Sequence, residues 1–270
     1  MSVHRFEPEA LDAVDPIWAA VRADASAAIG SDPSLGGFMC RAVLNQPSLE
    51  DAVCDRVAER LHHGDVPGHL LRHEFAEARK GDREWGSRVR IDLQAVFDRD
   101  PACNRYLEPV LYFKGFHALQ AHRLANALWA GGRRDMALYV QSRMSSVFQV
   151  DIHPATSIGR GVFIDHGTGI VIGETAVIED RVSILQGVTL GGTGKEWGDR
   201  HPKIRCGVLL GANSSILGNI EVGQCSKIAA GSVVVKPVPP NSTVAGVPAK
   251  VIGAAGCDEP SAAMNQLLGA

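Results

Sequence analysis

A six-residue rhythm runs through the second half of the chain and limits what it can fold into. Aliphatic residues recur at Ile152, Ile158, Ile164 and Ile170, slip by two, and resume at Ile172, Ile178, Ile184 and Leu190. After a longer insertion they return at Ile204, Leu210, Ile216, Val222, Ile228 and Val234. Several are followed at once by glycine, at Gly159, Gly173, Gly211 and Gly223. A helix repeats near 3.6 and a half-buried strand near 2, so neither holds phase in sixes. Three short strands per turn of a parallel β-helix do. Each hexad then lays down one flat side with its aliphatic residue aimed at the axis, and Gly or a small polar residue turns the corner.

Between Leu190 and Ile204 the rhythm is broken by GGTGKEWGDRHPK, residues 191–203, which carries three cations, His201 and Trp197. A loop extruded from a rigid solenoid is where function tends to sit. Past Val234, the Pro-rich KPVPPNSTVAGVPAKVIG ends the repeats and is expected to cover the open end. The tail from residue 254 to 270 is small and polar, and is expected to be mobile.

The first half has another composition. Residues 1–150 hold 10 of the 29 glycines while residues 151–256 hold 18, which marks a boundary because Gly weakens helices and serves tight corners. Asp15-Pro16 predicts an N-cap and first helical position ahead of IWAAVRADASAAI. Ser48-Leu-Glu-Asp51 resembles a capping box before AVCDRVAERLHH, with Gly64 at the C-cap. Pro67 and Pro109 open two further helices, the second with a stripe of Leu111, Phe116, Leu119, Leu124 and Leu128. These features predict a helical bundle and carry no chemistry of their own.

Charge and cysteine usage narrow the classes. Basic and acidic residues number 18 against 20 up to residue 150 and 9 against 10 beyond it, so neither half has the footprint of a nucleic-acid or anionic-membrane binder. No apolar run approaches the roughly 18 residues of a spanning helix. The start, MSVHRFEPEALDAVDP, has acids where a secretory signal has an apolar core. Cys40, Cys54, Cys103, Cys206, Cys225 and Cys257 lack C-x-x-C spacing and read as reduced thiols. A soluble cytoplasmic protein is expected.

The hexads, FQVDIHP at 148–154, DHGTGIVIGETAVIEDRVSILQGVTLGGTGK at 165–195, DRHPKI at 199–204 and AGVPAK at 245–250 together resemble a bacterial serine O-acetyltransferase. DLQAVFDRDPA at 92–102 and LYFKGFHALQAHR at 111–123 are similar to that family's helical domain. The resemblance implies an α+β fold, with an N-terminal α-helical bundle over residues 1–147 and a left-handed parallel β-helix over 148–253. The loop 191–203 is extruded from that β-helix, and 254–270 form a flexible C-terminal tail. It implies transfer of acetyl from acetyl-CoA to the hydroxyl of L-serine in a ternary complex, giving O-acetyl-L-serine and CoA, the first step of cysteine biosynthesis. Family members form homotrimers through their solenoids, with active sites between subunits, and pair trimers into hexamers through the helical domains. L-Cysteine competing at the serine site is the inhibitor the resemblance implies, and no metal is expected.

A serine hydroxyl is a poor nucleophile, so the reaction needs a positioned base. His166 is the candidate; its other reading is a surface histidine beside a turn. A base imidazole needs an acceptor behind its second nitrogen, and the resemblance gives that role to Asp151, which by sequence alone reads as a cap or turn residue. The family pattern puts Asp100 and Asp165 at the substrate's ammonium and Arg200 and His201 at its carboxylate, charge types that match. Asp100 precedes Pro101 and reads equally as a helix-end residue. Lys203 and Arg205 read as solvated loop cations.

No helix-based phosphate cradle precedes a predicted helix, and GGTGK at 191–195 opens a loop between coils instead. The resemblance lays the pantetheine arm of the co-substrate along a groove between adjacent solenoids, at Gly192, Ala212, Lys227 and Ala230. Lys227 reads equally as an exposed solubilising lysine. Cys206 and Cys225 stand at corners where the family often has charged or polar residues, and no role follows for them. The chain ends Leu-Leu-Gly-Ala, whereas members that dock into O-acetylserine sulfhydrylase typically end in isoleucine, so that partner is not expected. Three rivals stay open: an acetyltransferase acting on a sugar or antibiotic hydroxyl, a zinc-dependent hydratase on the same solenoid, and a non-catalytic scaffold. A zinc site needs about three His ligands, and only His153, His166 and His201 occur in the solenoid and its loop.

Overall fold

A computed structural model describes residues 15–194 and 197–268. The first fourteen residues of the N-terminal half, Lys195-Glu196 of the extruded loop and the last two of the tail lie outside the described residues. The helical half begins with α1 (Pro16–Ser31), where the Asp15 side chain accepts from the Ile17 and Trp18 backbone N–H groups and Pro16 takes the first helical position. A 3-10 turn, a short α2 (Gly36–Met39) and a π turn lead to α3 (Leu49–Leu61), which Ser48 caps by accepting from the Asp51 N–H. That helix ends at His62, two residues before the expected Gly64. Then come α4 (Gly68–Lys80), α5 (Trp85–Arg99), α6 (Leu107–Leu111), α7 (Lys114–Ala130) and α8 (Arg134–Phe148).

The single helix expected after Pro109 is two. Leu111 ends α6, and α7 is buried on nearly every side, His117, Gln120, His122 and Arg123 included. An amphipathic stripe was the wrong expectation because α7 is the core helix of the bundle, and the other helices and the solenoid pack around it.

Thirteen strands then build a parallel solenoid with three sheets. One sheet stacks β1 (Val150–Ile152), β4 (Ile170–Ile172), β7 (Thr189–Gly191), β10 (Ser215–Leu217) and β13 (Val233–Val234). The second stacks β2 (Ser157–Ile158), β5 (Val177–Ile178), β8 (Lys203–Ile204) and β11 (Glu221–Val222). The third stacks β3 (Phe163–Ile164), β6 (Ser183–Ile184), β9 (Leu209–Leu210) and β12 (Lys227–Ile228), continued by β14 (Ser242–Gly246) and an antiparallel β15 (Ala249–Ala254). Register puts each hexad residue on its counterpart one coil away: Ile152 on Ile172, Leu190 on Ile216, Ile178 on Ile204, Ile184 on Leu210. All but the half-buried Ile158 are buried, so the axis is a column of aliphatic side chains. Stacking buries each hydrophobic residue between two like it, which is why the period and not a single motif specifies the fold.

The slip in the rhythm has a structural meaning. Ile164 pairs with Ile184, and the Gly169 N–H bonds to the coil before just as that of Gly187 does, so residues 165–168 fill a corner that Leu185 and Gln186 fill one coil later. That first corner is longer by two residues, and it carries His166.

A buried ion pair joins the halves. Asp92 of α5 is fully buried; it accepts from Arg123 of α7 at 2.9 and 2.7 Å and from the backbone N–H of Gly161 at 2.8 Å. Arg123 also donates to the Gly159 carbonyl, and Arg99 to Gly161 and Ser183. Gly115 of α7 lies on the Ile164 carbonyl so closely that a Cβ there would collide with it. The end of α5 and the start of α7 are thereby fixed against the enlarged corner. The segment expected as a mobile tail packs instead: α9 (Pro260–Ala263) follows β15, Ser261 is fully buried with its carbonyl accepting from Ser183, and Glu259 pairs with Arg181.

Candidate active site

The residues singled out by sequence divide between two edges of the solenoid. On the edge between the third and first sheets, the enlarged corner presents His166 with φ 54°, followed by Gly167 at 78°. Two consecutive left-handed residues turn the chain outward, and the His166 side chain stands 74% exposed. Its Nε2 lies 3.7 Å from Asp165 Oδ1. Asp165, His166 and Asp100 line one cavity of about 700 Å3, together with Phe163, Phe116 and Lys114.

Asp100 is the C-cap of α5, and its Oδ1 accepts from the Ala102 N–H at 2.9 Å. It therefore ends the helix, as one of its two readings expects, and also lines the cavity. Burial pushes the Asp165 carboxyl above its ordinary range; His166 works against that and the Asp100 carboxylate adds to it. Among the described residues neither acid is paired with a Lys or Arg. Lys114 and Arg99 line the same cavity but donate to Thr168, Gly161 and Ser183, and two converging carboxylates left without an ion pair suit a ligand that brings a positive charge.

The edge between the first and second sheets holds the other group. Asp151, on β1, does not stand behind His166 within the chain: Gln141 of α8 donates to its Oδ1 at 2.7 Å, and it lines a separate cleft of about 300 Å3 with His153, Glu174, Arg200 and His201. Within one chain the two line different clefts, and the acid nearest the imidazole is Asp165.

The returning limb of loop 191–203 folds back on the corner above it. Arg200 Nη2 donates to Glu174 at 2.8 Å and Nη1 to the Gly198 carbonyl at 3.0 Å. The Thr175 hydroxyl accepts the N–H groups of Arg200 and His201 at 3.0 and 3.1 Å and lies 2.9 Å from His201 Nδ1. His201 is buried, and its pKa is held below the usual imidazole range by burial first and then by the Arg200 cation. Lys203, read as a solvated cation, donates to the Thr175 and His201 carbonyls, and Arg205 pairs with Glu179 and Glu221. Glu174 and Thr175 were not singled out by sequence, and Gly173 only as a corner glycine. They lie in an unbroken hexad, and only the folded loop shows what they hold.

The positions expected along a pantetheine groove separate too. Ala212 and Ala230 stack on the His166 edge, joined by the bond from Gly231 N–H to the Ala212 carbonyl, and their small side chains keep that edge low. Gly192 lies on the other edge, against the Arg200 side chain. Lys227 is buried, contrary to its reading as a solubilising lysine, and its Nζ donates to the Leu267 carbonyl at 2.9 Å and the Asn265 carbonyl at 3.4 Å. Among the described residues no group of three or more His, Cys, Asp or Glu is arranged to hold a metal ion.

Comparison with known proteins converges on one family. The family model for the N-terminal region of serine acetyltransferases matches residues 17–121, and that for bacterial transferase hexapeptide repeats matches residues 201–236. A serine acetyltransferase from Salmonella typhimurium is 52% identical over 250 residues, covering 93% of this chain and 92% of its own. The crystal structure of serine acetyltransferase in complex with coenzyme A from Brucella abortus is 62% identical, with a TM-score of 0.90 over 92% of this chain and all of that one. A serine acetyltransferase solved in complex with cysteine is 46% identical, with a TM-score of 0.91 over 93% of this chain and 98% of its own. With the helical half, the solenoid and both charged corners inside the matched span, the chain belongs to the serine acetyltransferase family.

Proposed function

We propose that the protein transfers the acetyl group of acetyl-CoA to the hydroxyl of L-serine, in a ternary complex, at a site completed by two copies of the chain. One observation carries this reading: acids with no salt bridge to a Lys or Arg and an exposed imidazole occupy one solenoid edge, while ordered donors, the Arg200 cation among them, and a further acid occupy another. Each edge is half of an amino-acid site. Asp100 and Asp165 receive the ammonium, and Arg200 and His201 of a second copy receive the carboxylate. The serine hydroxyl then lies against His166. Asp151 of the second copy accepts from the imidazole's other nitrogen, fixes its tautomer and stabilises the imidazolium.

His166 removes the hydroxyl proton as the oxygen attacks the thioester carbonyl carbon. The tetrahedral intermediate collapses with cleavage of the C–S bond, and the imidazolium returns the proton to the departing CoA thiolate. Backbone N–H groups of Gly191 or Gly192 are the candidate donors to the oxyanion. The pantetheine arm follows the low edge of Ala212 and Ala230 and meets Gly192 of the neighbouring copy. Lys227 serves the nucleotide end only if residues 265–267 leave its ammonium.

Support for the co-substrate comes from the Brucella abortus relative solved with coenzyme A, and support for L-cysteine as a competitor at the serine site comes from the relative solved with cysteine. A homotrimer or a dimer of trimers, working in the cytoplasm, completes the reading. Asp100 opposite Arg200 favours an amino-acid acceptor over a sugar, which needs neither charge. Thiol release from acetyl-CoA tests this: it is expected with L-serine and at background with a galactoside or without acceptor. Equal release with the galactoside overturns the acceptor assignment.

A further inference from the structure

We infer that Thr175 is a positioning residue for the serine carboxylate: it locks the Arg200-His201 pair against the second coil and fixes His201 as the tautomer that donates from Nε2. The inference rests on the reading of Arg200 and His201 as the carboxylate's partners.

The hydrogen-bond directions leave little choice. The backbone N–H of Thr175 points at His201 Nδ1 at 3.2 Å, and a backbone N–H only donates. Nδ1 therefore accepts and carries no proton. The Thr175 hydroxyl already accepts two N–H groups, so its own hydrogen is free for the same Nδ1, 2.9 Å away. Two donors on one ring nitrogen place the proton of the neutral imidazole on Nε2, where it faces outward as a donor.

Charge around the ring favours the neutral form. His201 is flanked by Arg200 and Lys203 from its own limb, by Glu174 from the corner above and by His153 one coil further, and its pKa is lowered by burial and by the cations. The ring also packs closely on Gly173, where a Cβ would strike Nε2, so this position leaves room for the imidazole only as glycine. A neutral donor beside the Arg200 guanidinium gives a carboxylate a directional bond without a second cation to desolvate. Without the Thr175 hydroxyl, two loop N–H groups lose their acceptor, and the limb that carries both donors loosens.

Thr175→Val keeps shape and removes the hydroxyl, while Thr175→Ser retains it. The expected result is a KM for L-serine raised about tenfold in Thr175→Val, with the KM for acetyl-CoA unchanged, and near-normal kinetics in Thr175→Ser. An unchanged serine KM in Thr175→Val, or a parallel rise in both KM values, overturns the proposal. His201→Ala separates the two levels. If it leaves the serine KM unaltered, the carboxylate reading fails and takes the proposal with it. If it raises the serine KM while Thr175→Val does not, only the positioning role fails. Nitrogen-15 resonances of labelled histidine in the wild-type protein give a check that needs no folded variant: His201 Nδ1 is expected at the unprotonated position, and a protonated Nδ1 refutes the tautomer.

Discussion

The two charged corners handle charge in opposite ways. At residues 165–169, Asp165 and Asp100 face one cavity with no salt bridge to a Lys or Arg among the described residues, since Lys114 and Arg99, which also line it, donate elsewhere, and His166 stands in the open. At residues 173–175, with the limb 199–203 folded upon them, the donor side chains are already matched: Arg200 by Glu174, the neutral His201 by Thr175, Lys203 by Asp199 and two carbonyls. Unmatched charge is costly to hold, as the raised pKa of Asp165 records, and it marks where a ligand must bring the opposite sign. Matched charge costs little and holds donors still before a ligand arrives. One corner supplies unmet charge, the other geometry, and an amino acid with both signs needs each.

If the corners form one site, losing the base is the largest effect. His166→Ala is expected to lower kcat about 10²–10⁴-fold while leaving the fold intact, because the side chain is exposed. A nearly unaltered kcat breaks the catalytic half of the comparison. Next in size, Arg200→Ala is expected to raise the KM for L-serine about 30-fold or more, the measure of a charge-assisted bond lost from a carboxylate.

Assayed at L-serine well below the raised KM, where both are impaired, these two variants also test whether the corners meet across copies. Refolded together at equal amounts, they are expected to regain activity at about a quarter of the sites, where an intact His166 edge faces an intact Arg200 edge. No recovery would mean that both edges of a site come from one copy. The smallest effect sharpens the contrast. Asp165→Asn is expected to raise the serine KM yet slightly raise thermal stability, since it removes a charge that burial and Asp100 disfavour. Because the folded carboxyl binds its proton more tightly than the unfolded one, its contribution to stability is present below the ordinary carboxylate range near ~pH 4 and is lost as pH rises through the raised value. The stability gap between wild type and Asp165→Asn is therefore expected to widen from ~pH 4 to ~pH 7, as read by thermal unfolding.

How much could be read beforehand follows from the range of the interactions. The axial residues were legible because stacking forces a local period; Ile184 and Leu210 fall in register as their spacing requires. Helix starts at Asp15 and Ser48 were legible because a cap is settled within four residues. The break at Tyr112-Phe113 and the all-round burial of α7 were not, since packing rather than sequence pattern decides them. Of the site, the residue types and the odd corner were visible. That Asp151 lies with Arg200 rather than His166, that Thr175 collects a loop folding back on it, and that residues 265–267 cover Lys227 depend on contacts between distant segments, which carry no spacing signal.

The longer first corner has a consequence for anyone reshaping this scaffold. Trimming it to the size of the corner one coil later would keep the aliphatic column in phase and give a more uniform prism, easier to average into a consensus and to lengthen by copying coils. It would also withdraw the imidazole. On the proposed reading the blemish in the repeat is the payload, and idealising the architecture would erase the base it carries.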